Sequence, residues 1–200
     1  MDKEFSKADR TRQFIIETTA GIFNTKGYAG TSLSDMTDAT GLTKGSIYGN
    51  FESKEDVALA VFDHNLNKLT KIIWQQVQQA DTYYDKLMVY ARAYKSFLQN
   101  ETIPGGCPIL NTAVEADDTN PLLKERAAKA LYKWKNGIEN LIRAGIRAGE
   151  FKEDTDQSAI ALSVIALIEG GVMICKATND LNAFDTVFGT VDKVVLGLKK

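Results

Sequence analysis

Residues 31–54, TSLSDMTDATGLTKGSIYGNFESK, hold the pattern that decides the fold of this chain. Ser32 and Asp35 have the spacing of a capping box, in which the two side chains satisfy amide groups of the first helical turn. A helix is therefore predicted to begin near Leu33. Gly41 follows at a point where a helix can end in the left-handed conformation, so we expect the chain to reverse there.

A second short helix is predicted after the turn, over residues 44–50, with Thr43 as its cap. On this helix Ile47 and Phe51 lie four residues apart and share one face, which we expect to be core. The other positions are small or polar and point elsewhere. Ser53 repeats the capping-box spacing with the carboxylate three residues later, so a third helix is predicted to begin there.

Two helices joined by a glycine-containing turn, the second with a polar outer face, are typical of a helix-turn-helix, whose second helix enters the major groove of DNA. Lysine and asparagine can hydrogen-bond base edges, glycine lets the backbone approach phosphate, and hydroxyl groups can donate to phosphate oxygens. The same spacing also fits a helical hairpin with a solvated outer face. The residues predicted to contact DNA are Thr31, Ser32, Ser34, Thr43, Lys44, Gly45, Ser46, Tyr48, Gly49, Asn50 and Lys54.

The longer stretch over residues 10–62 resembles the amino-terminal domain of the TetR family of bacterial transcriptional regulators. The matching features are a first-helix pattern ending in Phe23 and Lys26-Gly27-Tyr28, the Thr31-Ser32 pair, the Gly45-Ser46-Ile47-Tyr48 core, Phe51 and Lys54. Gly49 and Asn50 depart from the pattern, since the family often has an aromatic residue and a histidine or tyrosine there. Residues 105–115, GGCPILNTAVE, also resemble a carboxyl-terminal domain type found in some relatives.

The composition is that of a soluble globular protein, with 200 residues of which 44% are hydrophobic and 25% charged. Only three prolines and long runs without glycine favour helices. The first ten residues carry no apolar block, so no signal peptide is predicted. The longest apolar stretch, residues 159–168, is shorter than a bilayer requires, and we expect a cytoplasmic protein with no membrane partner.

The amino-terminal region is not basic. Residues 1–62 contain seven lysines and arginines against nine aspartates and glutamates. Because non-specific DNA affinity comes mainly from phosphate neutralisation, any DNA binding should depend only weakly on salt.

Residues that carry chemistry are scarce. We find no phosphate-binding loop, no paired metal-ligand motif and no nucleophile elbow, so the sequence predicts no metal, no cofactor and no enzyme. Cys107 and Cys175 are too few and too separated for a zinc site or a disulfide framework. Cys107 is either a redox sensor at a helix start or a packed cysteine, and His64 is either a sensor of ligand or pH or a structural residue.

The helical pattern predicts an all-α fold of about nine helices in two domains. Residues 1–53 form a three-helix DNA-binding domain, residues 54–200 form a larger ligand-binding and dimerisation domain, and the helix over residues 54–79 bridges the two. The first helix is predicted to end at Lys26. The remaining helices are predicted over Thr82–Gln99, Ile109–Ala116, Leu122–Gly149, Gln157–Ala177 and Leu181–Leu198.

Many aromatic residues with polar tips occur on the helix over residues 82–99. Such residues pack a core or line a pocket for an apolar ligand with a polar handle, and their spacing does not separate the two roles. The predicted pocket residues are Phe62, Leu66, Trp74, Tyr90, Tyr94, Phe97, Cys107, Leu110 and Trp134.

The last two helices are too apolar to face water. Pairing with a second copy into a four-helix bundle would cover them, and burial of both helices within one chain is the alternative. The predicted interface residues are Ile160, Val164, Leu167, Ile168, Phe184, Val187, Phe188, Val191 and Val195.

The resemblance implies a ligand-responsive transcriptional regulator, most simply a repressor that binds a palindromic operator in double-stranded DNA as a homodimer. It further implies release from DNA by a small apolar or aromatic effector bound in the carboxyl-terminal domain. The alternatives are a helical ligand-binding dimer that does not bind DNA and, from another class, an enzyme.

Overall fold

The computed structural model describes residues 6–100 and 102–200, and in these ranges the chain forms nine α-helices, as predicted. Among the described residues the one β pairing is an isolated bridge between Phe151 and Lys199, so the all-α fold is confirmed. Residues 1–5, which entered the predicted first domain and the signal-peptide argument, lie outside the described residues. The helices are α1 (Lys7–Gly30), α2 (Leu33–Thr40), α3 (Lys44–Tyr48), α4 (Lys54–Gln79), α5 (Tyr83–Asn100), α6 (Pro108–Ala116), α7 (Pro121–Arg147), α8 (Gln157–Thr178) and α9 (Ala183–Leu196).

Side-chain caps set the helix starts. Ser32 and Asp35 form the predicted capping box at α2, and Thr43 accepts a hydrogen bond from the amide of Ser46 at α3. Gly41 ends α2 in the left-handed conformation with φ of 67°. These local signals act over three or four residues, which is why the sequence alone locates them.

The end of α1 differs from the prediction. The helix does not stop at Lys26 but continues to Gly30 across a break at Gly27, whose φ of 75° and ψ of 177° are not helical. Glycine adopts this positive φ without the steric cost that a side chain would bring. The break therefore separates a long first part of α1 from a last turn that leads into α2.

The chain divides into two compact units. Of the described residues, the amino unit contains those up to Lys68 together with Ile103–Ala127, and the carboxyl unit contains those in the ranges Leu69–Thr102 and Ala128–Lys200. The predicted boundary lies between residues 53 and 54, whereas in this division the first half of α4 and all of α6 group with α1, α2 and α3. The chain passes from one unit to the other within α4 and within α7.

The core of the amino unit is one cluster of apolar side chains from α1 to α4. Ile15, Met36, Ile47 and Val57 in this cluster are fully buried, and Phe51 is nearly so. Burial of Ile47 and Phe51 confirms the predicted inner face of the second short helix. Leu123, near the start of α7, also belongs to this cluster.

The carboxyl unit is built on contacts among α5, α8 and α9. Gly171 lets α8 approach α9 closely, since a Cβ there would lie 3.0 Å from Phe184 Cδ2. By length and composition alone α8 has the properties of a membrane-spanning helix, contrary to the length argument from residues 159–168. A core helix of a soluble protein meets the same criterion, and Val164, Ile168 and other α8 residues are buried inside the unit.

Candidate nucleic-acid interface

The α2 and α3 helices are held in a fixed relation by backbone and core contacts. The amide of Gly41 donates to the carbonyl of Thr37 at 2.8 Å and closes α2. The hydroxyl of Thr43 accepts from the Ser46 amide at 3.2 Å and starts α3 only two residues later. Ile47 then anchors α3 in the core. The outer face of α3 therefore lies opposite a side chain that is packed in the core.

That outer face is small and polar. Thr43, Lys44, Gly45 and Gly49 are exposed, and Tyr48 is half-buried. A Cβ at Gly45 would have Thr43 Oγ1, at 3.9 Å, as its nearest neighbour, so the surface around it is open. The face offers an ammonium group, hydroxyl groups and a phenol at short spacing, which is the chemistry that contacts phosphates and base edges.

Thr31 and Ser34, two predicted DNA contacts beside the start of α2, make hydrogen bonds within the chain. Thr31 is fully buried, and its hydroxyl donates to the Gly27 carbonyl at 2.6 Å, so its side chain does not reach a phosphate. The hydroxyl of Ser34 donates to Asp38 at 3.2 Å and remains exposed. The prediction for Thr31 needs correction, because a threonine between two helices fits a buried link as well as a surface contact.

Lys54 is mainly a structural link. Its Nζ donates to the carbonyls of Tyr28 and Thr31 at 2.8 and 3.0 Å and lies 4.3 Å from the centroid of the Tyr28 ring. An ammonium group has three donors, so one is left for a phosphate. Lys54 therefore ties the start of α4 to the segment that leads into α2.

Asn50 and Arg12 close the other end of α3. The Asn50 side chain donates from Nδ2 to the Ser46 carbonyl at 2.9 Å, and the Asn50 carbonyl accepts from Arg12 Nη1 at 2.8 Å. The Arg12 guanidinium also lies 3.9 Å from the Phe51 ring centroid and 3.6 Å from Asp56. Sequence reasoning missed this link, because no local pattern connects positions 38 residues apart.

The carboxylate of Asp35, at the start of α2, is stabilised by hydrogen bonds from neighbouring groups. Asp35 accepts from Lys26 Nζ at 2.6 Å and from the amide and hydroxyl of Ser32. The hydrogen bond from Lys26, followed by those from Ser32, lowers the pKa of Asp35 well below its usual range. Because the pKa is depressed in the folded state, this cap stabilises α2 above the unfolded-state pKa and is lost as the pH falls through the folded-state pKa.

The predicted pocket residues belong to two groups. Phe62, Leu66, Cys107 and Leu110 lie in the amino unit, where Cys107 is buried at the cap position of α6. Five others lie in the carboxyl unit: Trp74, Tyr90, Tyr94, Phe97 and Trp134. The Trp74 side chain is 63% exposed, so it is not enclosed by its own chain.

An aromatic cluster forms from four of these carboxyl-unit residues. The rings of Tyr94 and Trp134 stack with centroids 5.3 Å apart and planes 6° apart, and Tyr90 stacks on Trp134 at 6.2 Å. Phe97 meets Tyr94 edge-on at 5.9 Å. Burial raises the pKa of Tyr90 to about 12. The indole Nε1 of Trp134 is buried, and no hydrogen-bond acceptor for it occurs in the described part of the chain.

The predicted interface residues lie largely inside the carboxyl unit. Val164, Ile168, Phe184, Val191 and Val195 are buried within the chain, so the expectation that they face a partner needs correction. Ile160, Leu167, Val187 and Phe188 are partly exposed.

A different face of α8 points outward. Leu162 and Met173 on it are 50% and 56% exposed, and Ile174 and Ala166 are also exposed. A Cβ at Gly170 would meet no described atom within 4 Å beyond its own helix. This outward face has no charged group between Leu162 and Ile174 except Glu169 at its edge.

Comparison with known proteins agrees with this architecture. Residues 15–61 match the family model of bacterial regulatory proteins of the tetR family, and residues 84–191 match that of the tetracyclin repressor-like carboxyl-terminal domain.

Individual relatives match over nearly the whole chain. The crystal structure of a TetR-family transcriptional regulator from Cytophaga hutchinsonii is 48% identical with a TM-score of 0.91, covering 98% of each chain. One from Chloroflexus aurantiacus is 35% identical with a TM-score of 0.92, covering 96% of this chain and 98% of that one. The transcriptional repressor DhaR of Mycobacterium sp. (strain GP1) is 25% identical over 188 residues, 92% of each chain. The chain therefore belongs to the TetR family of helix-turn-helix transcriptional regulators.

Proposed function

We propose that this regulator is a homodimeric repressor that binds a palindromic DNA operator and leaves it when a small effector binds the carboxyl unit. The observation that carries the proposal is the exposed polar face of α3, held in place by fully buried Ile47. The name of its relative DhaR, a transcriptional repressor, supports repression. Two-fold symmetry would place two such faces about one DNA turn apart, roughly 34 to 36 Å.

The DNA face is assigned to residues whose polar groups remain available. These are Lys44, Ser46, Tyr48, the Thr43 hydroxyl and the backbone at Gly45 and Gly49. Asn50 is left out as a reader of bases, because its amide caps α3. With glycine at position 49, DNA contact there would come from the backbone, which can approach a phosphate closely.

Replacing Lys44 and Tyr48 together by alanine should weaken binding to an operator duplex by roughly 10- to 100-fold, since each loses a phosphate or base contact. The duplex is the one that the unaltered protein enriches from fragments of its own genome, and binding is measured by fluorescence anisotropy. Lys71→Ala with Tyr132→Ala removes the same residue types from exposed positions of the carboxyl unit and should leave affinity unchanged. Equal affinity of the Lys44, Tyr48 variant and the unaltered protein would place the DNA face elsewhere.

Salt dependence should be shallow. Lys44 is the exposed cation on α3, and Arg12 and Lys26 of α1 are already paired with Asp56 and Asp35. If about four phosphates are neutralised per dimer, the plot of log K against log salt should have a slope near −4. Titration between low and moderate potassium chloride measures it. A slope near −10 would contradict this view of the interface.

The dimer is assigned to the outward face of α8. Apolar Leu162, Ala166, Met173 and Ile174 would lose contact with water on pairing, and Gly170 would allow close approach of the partner. Members of the family dimerise, which supports a second copy of this chain as the partner on the α8 face.

The effector site is assigned to the aromatic cluster of Tyr90, Tyr94, Phe97 and Trp134. Stacked rings favour a flat apolar molecule, and the buried Trp134 indole N–H would donate to an acceptor on it. Coupling of about 1 to 3 kcal/mol between effector and DNA would change operator affinity some 5- to 150-fold. Because α4 is shared by both units, it is our candidate for transmitting the change.

A further inference from the structure

A glutamate of α6 occupies the break in α1. The two carboxylate oxygens of Glu115 accept hydrogen bonds from the backbone amides of Tyr28 and Ala29, at 2.8 and 2.9 Å. A Cβ on Gly27 would lie 2.5 Å from the same oxygens. The carboxylate thus sits where a side chain at position 27 would be, and it caps the last turn of α1 from another helix.

This last turn, residues 28–30, is held from the opposite direction as well. Lys54 donates to the carbonyls of Tyr28 and Thr31, and Thr31 donates to the carbonyl of Gly27. The next residue, Ser32, is the cap of α2. The segment that leads into the helix-turn-helix therefore has Glu115 on its amides and Lys54 on its carbonyls.

The loop before α6 adds a second set of contacts to α1. Asn24 donates from Nδ2 to the carbonyls of Pro104 and Gly106, at 2.6 and 2.9 Å. Asn111 donates in turn to the carbonyls of Asn24 and Gly105, at 3.0 and 2.8 Å. These bonds fix α6 against α1, so the carboxylate of Glu115 is delivered to one place.

We propose that Glu115 is a positioning residue for DNA binding: its carboxylate sets the path from α1 into α2, and with it the position of α3. The inference rests on the proposed DNA-binding function of α3. Residues 103–127 enter the amino unit from α5 and leave it along α7, so a displacement of α6 would withdraw the carboxylate from the Tyr28 and Ala29 amides. The helix-turn-helix would then lose the contact that fixes the path from α1 into α2, although it would stay folded.

The test replaces Glu115 by glutamine, which keeps the shape but turns one acceptor oxygen into an NH₂ donor facing a donor. We expect amide hydrogen exchange to speed up at Tyr28 and Ala29 and in the first turn of α2. Affinity for the genomic duplex enriched by the unaltered protein should fall by about tenfold. Gly27→Ala, which pushes on the carboxylate from the other side, should act in the same direction.

Glu150 provides a matched control. Its carboxylate caps α5 in the same two-oxygen manner, accepting from the amides of Tyr83 and Tyr84 at 2.8 Å each, but it lies in the carboxyl unit. Glu150→Gln should speed exchange at Tyr83 and Tyr84 and leave DNA affinity unchanged. An equal loss of DNA affinity in both variants would mean a general loss of stability and would overturn the positioning role.

The remaining outcomes are distinct. Faster exchange at Tyr28 and Ala29 with unaltered DNA affinity would overturn the positioning role and leave Glu115 a purely structural cap. Glu115→Asp keeps both acceptor oxygens, so this variant should bind DNA more tightly than Glu115→Gln. If Glu115 only filled space, the glutamine variant would bind more tightly than the aspartate variant. If the unaltered protein enriched no duplex, the proposed function itself would fail, and this inference with it, although the exchange result would still stand.

Discussion

Replacing Gly170 by glutamate should convert the proposed dimer into monomers and lower operator affinity by more than about 100-fold, since the second half-site contact is lost. Within the protomer the change is harmless, because no described atom beyond its own helix lies within 4 Å of a Cβ at this position. At a two-fold interface the same carboxylate would be buried beside apolar Ala166 and Met173. Burying an unpaired charge costs several kcal/mol, which exceeds the stabilisation that contacts between small apolar side chains provide.

Light scattering during size-exclusion chromatography checks the first part of this result. The mass of the variant should equal that of one 22.0 kDa chain, while the unaltered protein should show twice that value. Ala148→Glu adds the same charge at an exposed position just after α7 and should remain dimeric with normal DNA affinity. A dimeric Gly170→Glu variant with normal DNA affinity would show that the α8 face is not the interface.

Two adjacent glycines on α8 show why the sequence alone did not predict which face of this helix points outward. Gly171 packs against Phe184 inside the chain, whereas Gly170 points outward. Both faces of α8 are apolar or small, so helical periodicity gives no sign for which one is inside. The predicted interface set consequently mixed buried Val164 and Ile168 with partly exposed neighbours.

The DNA-binding helices were predictable because their signals are local. A capping box, a left-handed glycine and an apolar pair four residues apart each act within one turn, and all three appear at the expected residues of α2 and α3. The contacts that support these helices come from distant parts of the chain. Arg12 reaches Asn50, and Glu115 reaches Tyr28 across 87 positions. No spacing rule links such pairs, so they are visible only in the structure.

The second large effect is a loss of stability, expected from a substitution near the end of α7. Phe151 is fully buried with its ring against Gly145, where a Cβ would lie 2.5 Å from Phe151 Cε2. The Gly145 carbonyl accepts from the amides of Glu150 and Phe151, and the Glu150 carboxylate caps α5. The amide of Lys152 donates to the Leu198 carbonyl at 2.9 Å, which attaches the chain after α9. Residues 150–152 thus link the end of α7 to the start of α5 and to the chain after α9, with the Phe151 ring packed at the centre of this junction.

Gly145→Ala should therefore destabilise the protein by about 3 kcal/mol, because the new methyl group and the Phe151 ring cannot occupy the same space. Urea unfolding at fixed protein concentration measures this, and the melting temperature should fall by about 6 to 12 °C. Ala148→Val, an addition on the exposed surface one turn away, should change stability by less than about 0.5 kcal/mol.

A double-mutant cycle tests the cause of that loss. Phe151→Ala alone should cost about 3 to 5 kcal/mol, since a fully buried ring is lost. In the Phe151→Ala background the ring that opposes a Cβ at position 145 is gone, and alanine is the better helix former by about 0.8 to 1.0 kcal/mol. Gly145→Ala should then be neutral or stabilising. A cost that stayed near 3 kcal/mol in this background would show that Tyr83, whose Cβ lies 3.1 Å from the new atom, and not Phe151, opposes the substitution.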